Sequence, residues 1–191
     1  MKKIIAIIIV AVVAIWAVSG YNNMATLDEQ VSNEWSNVET QYQRRADLIP
    51  NLVSTVKGYA AHEKETLQGV IEARSKATGI TVNANDLTPE KMAEYQKAQG
   101  AVTSALGKLL AIAENYPDLK ANQNFLELQA QLEGTENRIN VARMKFNDTA
   151  KKMNTTIRRF PNNILASLFG FERRAYFEAA EGAAQAPKVE F

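Results

Sequence analysis

The chain has a single histidine, which limits the metal and nucleophile chemistry that its side chains could perform. His62 lacks the second histidine that a zinc-protease helix requires. A di-iron site in a helical bundle would need a Glu-x-x-His motif on each of two helices. A Ser-His-Asp triad would have to use His62 among charged neighbours on a helix face. Because cysteine and glycine-rich phosphate loops are also absent, the sequence predicts no catalytic residue, no metal and no cofactor.

Two groups of arginine, aspartate and asparagine residues are the remaining candidates for a polar site. The first contains Arg44, Arg45, Asp47 and Asn51, and the second contains Arg138, Arg143, Asn147 and Asn154. In one interpretation they meet in a buried network that fixes helix register and satisfies backbone groups freed by Pro50. In the other they lie on helix flanks that face water. The sequence leaves both interpretations open.

Three long helices are predicted to position these groups, since apolar residues recur every three or four positions and no segment alternates as a strand does. They run from about Tyr21 to Lys76, from Pro89 to Tyr116 and from about Leu119 to Phe160. Thr88 caps the second, Asp118 or Asn122 caps the third, and Pro50 predicts a kink in the first. The third helix would be about 63 Å long. The predicted fold is therefore all-α: an elongated antiparallel bundle of three long helices plus short C-terminal helices.

An apolar segment precedes the first of these helices. Residues 4–18 contain no polar side chain, and residues 4–21 would span about 27 Å as a helix, close to the thickness of a bilayer core. The competing interpretation is a signal peptide cleaved near Ala17-Val18-Ser19. The anchor is favoured because the apolar run is long and the helical pattern resumes directly after Tyr21. The sequence thus predicts that residues 4–21 bind the chain to a membrane.

Charge predicts how this segment is oriented. Lys2 and Lys3 precede it, and no basic residue follows before Arg44, so the N-terminus is expected in the cytoplasm and the bundle outside. Lys2 and Lys3 belong to the anchor, so 20 of the 22 basic residues remain against 21 acidic ones. The rest of the chain therefore has a net charge of about −1. A nucleic-acid partner is therefore not expected. The predicted division is an anchor at 1–21, a bundle at 22–180 and a flexible tail at 181–191.

A short apolar segment follows Pro161 and is the candidate interaction segment. Its apolar residues are Ile164, Leu165, Leu168, Phe169 and Phe171. It is expected to fold back over the end of the bundle. The alternative is an exposed amphipathic stretch for a membrane or a neighbouring subunit, flanked by arginines. A chain that runs out, back and out again would place this segment far from its own membrane.

The order of these features resembles the bacterial LemA family over essentially the whole chain. The motifs that carry the resemblance are Gln41–Val53, Val56–Glu63, Ile71–Arg74, Tyr116–Asn122, Glu136–Arg143, Phe160–Pro161 and Leu168–Phe171, of which the Arg-Arg-Ala-Asp-Leu-Ile-Pro-Asn-Leu run is the most specific. Phe146 and Met153 depart from the family, which often has tyrosines there. The resemblance implies a single-pass protein of the bacterial inner membrane that forms homo-oligomers, with a role in membrane organisation or envelope stress. It implies no established activity.

Three functions were weighed against these features. A non-enzymatic structural protein is favoured. The apolar residues of the third helix recur at alternating spacings of three and four, and such a stripe requires a partner helix along most of its length. An adaptor or sensor that binds another envelope protein fits the same features. A hydrolytic enzyme that uses arginine and aspartate near the kink is disfavoured, because no general acid and base stand out as a pair.

Overall fold

The computed structural model of the protein describes residues 1–178, and all its regular structure is helical. Its elements are α1 (Lys2–Tyr59), α2 (Lys64–Thr78), a short 3-10 turn (Ala84–Asp86), α3 (Pro89–Ala113), α4 (Pro117–Lys120), α5 (Gln123–Arg158) and α6 (Asn162–Phe169). No β-strand occurs within residues 1–178, so the predicted all-α class is confirmed. The predicted tail, 181–191, lies outside the described residues.

The first predicted helix is in fact two helices. α1 ends at Tyr59 because Ala60 has φ −125° and ψ 49°, outside the helical region, and α2 begins four residues later. The prediction of one helix to Lys76 was wrong because buried apolar residues continue on both sides of the break. Val56 and Ala60 are buried before it, and Leu67 is buried after it. Hydrophobic spacing therefore identified the buried face and missed the reversal of the chain.

This break gives the bundle four long passes instead of three. α1, α2, α3 and α5 run up, down, up and down. α2 begins beyond the end of α1 and returns beside it, since Arg74 bonds Ala46. α3 runs with α1, because Tyr95 packs on Tyr42 and Tyr116 bonds Glu63 further along. α5 runs against α1, because Asn122 bonds Tyr59 and Phe146 packs on Trp35. The chain therefore returns to the N-terminal end before α6 begins. A single short helix follows α5, where several were predicted, and residues 170–178 continue without regular structure.

The helix ends follow local capping chemistry. The side chain of Thr88 accepts a hydrogen bond from the Lys91 amide at 3.3 Å, which confirms it as the cap of α3. Asn122 Oδ1 accepts from the Phe125 amide at 3.0 Å and begins α5, so Asn122 rather than Asp118 is the cap. The predicted third helix is thus divided, because α4 is a separate turn before Ala121.

The buried side chains form two hydrophobic clusters along the rod. The cluster nearer the N-terminal end centres on Trp35, whose ring lies 5.6 Å from Phe146 and 5.9 Å from Phe177 between ring centres. The cluster at the far end includes Leu52 and Leu109, both fully buried. Helix α1 contributes to both clusters. Among the elements of residues 1–178, it alone continues well past a cluster, at its N-terminal end.

The beginning of α1 projects from the bundle. An 18-residue window near the N-terminus has a mean hydropathy of 2.6, and none of it is buried. By length and composition, this part of α1 could cross a membrane. The same helix then enters the bundle, where Met24 is the first buried residue.

Replacing Phe146 by alanine is expected to lower the free energy of unfolding by about 3–5 kcal/mol, since its ring is fully buried against two other aromatic rings. The matched control is Leu126→Ala on the same helix, where the side chain is 45% exposed and a change within about 0.5 kcal/mol is expected. Urea unfolding followed by circular dichroism in mild detergent measures both. Equal losses would contradict this assignment of the core.

Candidate functional site

Arg45 is the only arginine that is fully buried within the described residues, and its guanidinium is hydrogen-bonded on both terminal nitrogens. Nη1 donates to Thr103 Oγ1 at 2.8 Å and to Glu136 Oε2 at 3.0 Å. Nη2 donates to the backbone oxygen of Gln99 at 3.0 Å and to its Oε1 at 2.7 Å. A desolvated charge requires such partners, and here they come from α3 and α5. Arg45 therefore joins three helices at one level.

We call Arg45 and its partners, Gln99, Thr103 and Glu136, the polar layer. It separates the two hydrophobic clusters. On α1, Tyr42 belongs to the N-terminal cluster and Ile49 to the distal one, and Arg45 lies between them. The same division occurs on α3 at Gln99 and on α5 at Glu136, each between residues of the two clusters. Sliding any one helix by a turn would take the guanidinium away from its partners and into apolar surroundings. The layer is therefore expected to favour one register of α1, α3 and α5.

Arg74, which was not among the predicted site residues, satisfies the backbone oxygen that Pro50 leaves without its helical donor. Proline at position 50 has no amide N–H to donate to the carbonyl four residues earlier, which is that of Ala46. Arg74 Nε of α2 donates to this carbonyl oxygen at 2.7 Å. The predicted compensation for Pro50 is therefore present, but its donor comes from α2. Spacing gave no sign of this pairing, because a break separates Arg74 from α1.

A cavity of about 180 Å³ adjoins the polar layer. It is lined by Tyr42, Tyr95 and Arg74, among others. Burial raises the pKa of both phenols above the ordinary value, so both remain neutral at physiological pH. Burial likewise raises the pKa of Glu39 on the same wall. The cavity thus combines two arginines that are already hydrogen-bonded, Arg45 and Arg74, with groups whose charged forms are disfavoured.

The other members of the first predicted group lie on the outside of α1. Arg44, Asp47 and Asn51 are exposed, and Asp47 accepts a hydrogen bond from Gln43 of its own helix at 2.7 Å. Placing these three in a buried network was wrong, because successive helical residues turn by about 100° and only Arg45 of this group points inward. Arg138 on α5 is also exposed, and its Nη2 donates to Thr135 Oγ1 at 3.0 Å.

Three members of the second predicted group bind residues 171–178, which we call the C-terminal segment. They are Arg143, Asn147 and Asn154. Asn154 Oδ1 accepts from the Arg174 amide and Asn154 Nδ2 donates to the Arg174 carbonyl oxygen, both at 2.8 Å. Asn147 makes the same pair of bonds with Phe177, both at 2.9 Å. Gln96 of α3 pairs likewise with Glu178, at 2.7 and 3.2 Å. Three side-chain amides thus hold the segment between α3 and α5 as a neighbouring strand would.

The spacing of these asparagines matches an extended chain. Seven residues of helix rise about 10.5 Å, and three residues of extended chain cover about 10 Å. Asn147 therefore lies opposite Phe177, and Asn154 lies opposite Arg174. Two further contacts secure the segment: Arg174 Nη2 bonds Asp28 Oδ1 at 2.6 Å, and the guanidinium carbon of Arg143 lies 4.8 Å from the centre of the Phe177 ring.

The segment after Pro161 lies at the N-terminal end of the bundle. On α6, Leu165 and Ala166 are buried against the bundle. A Cβ atom at Gly20 would lie only 2.9 Å from Leu165 Cδ1, which shows how closely α6 approaches α1. The ring of Tyr21 lies 4.9 Å from that of Phe169. The expectation that this segment lies far from the N-terminal apolar segment was wrong, because it assumed three passes and the chain makes four.

The other side of α6 faces outward. Ile164 is 56% exposed, Leu168 73% and Phe169 53%, while Phe171 is half-buried beside Tyr21. Phe160, just before the helix, is 81% exposed. We call Phe160, Ile164, Leu168 and Phe169 the α6 outer face. The segment therefore covers the bundle with one side and presents the other as an apolar surface.

The sequence model of the LemA family matches residues 34–191. The chain belongs to the LemA family. The resemblance predicted from the arginine, aspartate and proline motifs is thereby confirmed, and these motifs lie around the polar layer of this LemA-family protein.

Individual relatives are similar at moderate identity. The chain is 31% identical over 176 residues to magnetosome protein MamQ of Magnetospirillum gryphiswaldense, which covers 82% of this chain and 64% of that protein. It is 27% identical over 177 residues to MamQ 1 of Paramagnetospirillum magneticum, covering 83% and 64%. It is 27% identical over 160 residues to protein LemA of Metamycoplasma hominis, covering 84% and 69%. The chain thus spans less than two thirds of the magnetosome relatives that it matches.

Replacing Arg45 by methionine is expected to lower the free energy of unfolding of this LemA-family chain by about 1–3 kcal/mol, because Gln99 and Thr103 lose the donor that satisfies them. Arg44→Met is the matched control, since Arg44 precedes it in the sequence and is exposed. Urea titration of both variants in the same detergent makes the comparison. A loss for Arg44→Met as large as that for Arg45→Met would disprove the layer's role.

Arg74→Met is expected to cost about 1–3 kcal/mol by leaving the Ala46 carbonyl oxygen without a donor. The loss should shrink in a Pro50→Ala background, because that substitution introduces an amide N–H that donates to the same oxygen. A double-mutant cycle of unfolding free energies measures this coupling. Independent, additive effects would show that Arg74 does not compensate for the proline.

Asn147→Leu is expected to release the C-terminal segment by removing both bonds to Phe177. Two hydrogen bonds of about 1 kcal/mol each correspond to roughly 30-fold faster amide exchange in residues 171–178. Hydrogen–deuterium exchange of this peptide is the measurement, and Asn137→Leu, at an exposed position of the same helix, is the control. Unchanged exchange in Asn147→Leu would show that Asn147 does not hold residues 171–178 in place.

Proposed function

We propose that this LemA-family chain is a membrane-anchored, non-enzymatic rod that assembles into homo-oligomers and organises the bacterial envelope. The observation that carries the proposal is the continuity of α1. Its 58 residues extend over about 87 Å and join the exposed apolar segment to the core of the bundle without a linker. Such a helix aligns the bundle with the membrane segment, which suits a structural role.

Contacts near the cleavage pattern support an anchor rather than a signal peptide. Trp16 and Ala17 pack against the N-terminal core cluster, and Gly20 contacts α6. Cleavage near Ala17–Ser19 would cut α1 within these contacts. We therefore assign residues 1–21 to the anchor and the described residues from 22 onward to the bundle; with the anchor retained, the chain has a mass of 21.2 kDa.

The disposition of polar groups supports a structural role. Arg45 and Glu136 are held by partners of the bundle itself, and the paired asparagines bind the chain's own backbone. These groups stabilise one arrangement of helices rather than opening toward a substrate. The exposed pair Val141 and Met144 on α5, one turn apart, offers an apolar contact for a neighbouring rod.

Single-cysteine labelling tests the orientation, because the chain has no cysteine of its own. In intact cells, a membrane-impermeant maleimide is expected to label Asn115→Cys at the far end of the bundle and to leave Lys3→Cys unlabelled until the cells are lysed. Labelling of Lys3→Cys alone in intact cells would reverse the proposed orientation. Labelling of neither would place the bundle in the cytoplasm.

Mass measurement of the full-length chain in mild detergent tests the assembly. The protein mass, corrected for detergent, is expected to be a multiple of 21.2 kDa. Met144→Glu should shift it toward one copy, while Lys145→Glu, at the neighbouring exposed position, is the control for added charge. A chain that stays monomeric at high concentration would contradict self-assembly. A monomer that co-purifies with one other envelope protein in fixed ratio would support the alternative, an adaptor or sensor.

A further inference from the structure

We infer that the α6 outer face inserts into the boundary between headgroups and acyl chains of the membrane at the end of the N-terminal anchor. The protein would then touch its membrane twice, once through the anchor and once through a helix lying in the surface. This inference rests on the proposed function, because only the anchor brings a membrane to this end of the molecule. The ligand is the lipid surface itself.

The level of α6 along α1 is the first argument. α6 contacts α1 at Gly20, and the adjoining core cluster reaches down to Trp16 and Ala17. These residues form the last turn and a half of the predicted span, residues 4–21. If that span crosses the hydrocarbon core, α6 must lie beside its outer end. Interfacial helices bury their apolar side about 5–10 Å into this same boundary zone.

The composition of α6 is the second argument. Its eight residues, Asn162–Phe169, carry no charge, and Ile164 and Leu168 lie one turn apart on its exposed side. The inward side chains Leu165 and Ala166 are already used against the bundle. An apolar surface of this kind on a soluble protein is unfavourable in water, whereas at this position lipid can cover it.

Aromatic and basic residues around the helix complete the pattern. Tyr21 packs against Phe169 and Phe171, which places three rings at the level where aromatic side chains prefer the interface. Arg158, Arg159 and Arg173 flank α6 and are exposed, and Glu172 is the one exposed acid between Phe160 and Arg173. The excess of positive charge favours anionic lipid headgroups.

A second copy of the chain is the competing occupant of the same surface. Lipid is favoured because the anchor itself holds α6 at the membrane, whether the protein is monomeric or assembled. The two occupants also differ in a measurable way. A residue facing acyl chains is accessible to dissolved oxygen and inaccessible to a water-soluble nickel complex, whereas a residue buried in a protein interface is inaccessible to both.

Spin labels on single cysteines of the full chain in liposomes of phosphatidylethanolamine and phosphatidylglycerol provide the test. Leu168→Cys reports on the α6 outer face, and its side chain is 73% exposed, so the label should not disturb the fold. Val10→Cys reports on the anchor, and Asn115→Cys reports on water at the far end of the bundle. Collision rates with oxygen and with the nickel complex are measured by power-saturation spectroscopy.

The expected result is that the label at Leu168 resembles the one at Val10, with oxygen collisions several-fold more frequent relative to nickel collisions than at Asn115. Nickel accessibility at Leu168 equal to that at Asn115, with Val10 still in lipid, would overturn the inference and leave the anchor intact. Low accessibility to both reagents at Leu168 would overturn it in favour of a second copy. A water-exposed label at Val10 would overturn the proposed anchor and the inference with it.

Discussion

The burial of one guanidinium constrains the arrangement of the whole rod. A cation taken out of water is tolerated only where its donors are met, and Arg45 meets acceptors from α3 and α5 at a single level. Apolar contacts depend on shape and buried area, whereas hydrogen bonds to a buried charge also depend on direction and distance. A shift of one helical turn would separate the guanidinium from its partners. The polar layer therefore constrains the positions of the helices along the rod in addition to the hydrophobic clusters.

Register at the layer determines what meets at the N-terminal end. Once α5 is aligned with α1, Asn147 and Asn154 lie where the returning chain passes, and Asp28 lies within reach of Arg174. α6 is delivered beside Gly20 by the same alignment. A buried charge near the middle of the rod thus controls the geometry of a surface several turns away. Continuous helix joins these levels, because α1 is unbroken from Gly20 to Arg45 and α5 from Glu136 to Asn154.

Much of this could be predicted from the sequence, and the failures have physical causes. Apolar periodicity identified the buried faces, and the cap residues Thr88 and Asn122 were readable because side-chain oxygens satisfy amides three residues away. The break after Tyr59 was missed because its neighbours remain apolar. Without this reversal of the chain, α6 was predicted at the end of the bundle far from the N-terminal segment. Arg45 could have been distinguished from Arg44, because it follows the buried Tyr42 by three residues and precedes the buried Ile49 by four; its charge hid its place on this stripe. Contacts of Asn154 with backbone leave no signature in residue types, because any residue supplies an amide and a carbonyl.

A rod held by one membrane helix remains free to tilt relative to the bilayer. Its side faces then lie at a range of heights and angles to the membrane, and each contact between neighbouring rods must restrict this tilt. A second contact away from the axis, such as the α6 outer face on the lipid surface, restricts the tilt without adding any bond between copies. Val141 and Met144 would then be presented at a fixed angle to the membrane by every copy. Weak lateral contacts gain most from such preorganisation, because the orientational entropy has already been given up to the membrane. A second lipid contact would therefore favour assembly even where the contact between copies is small.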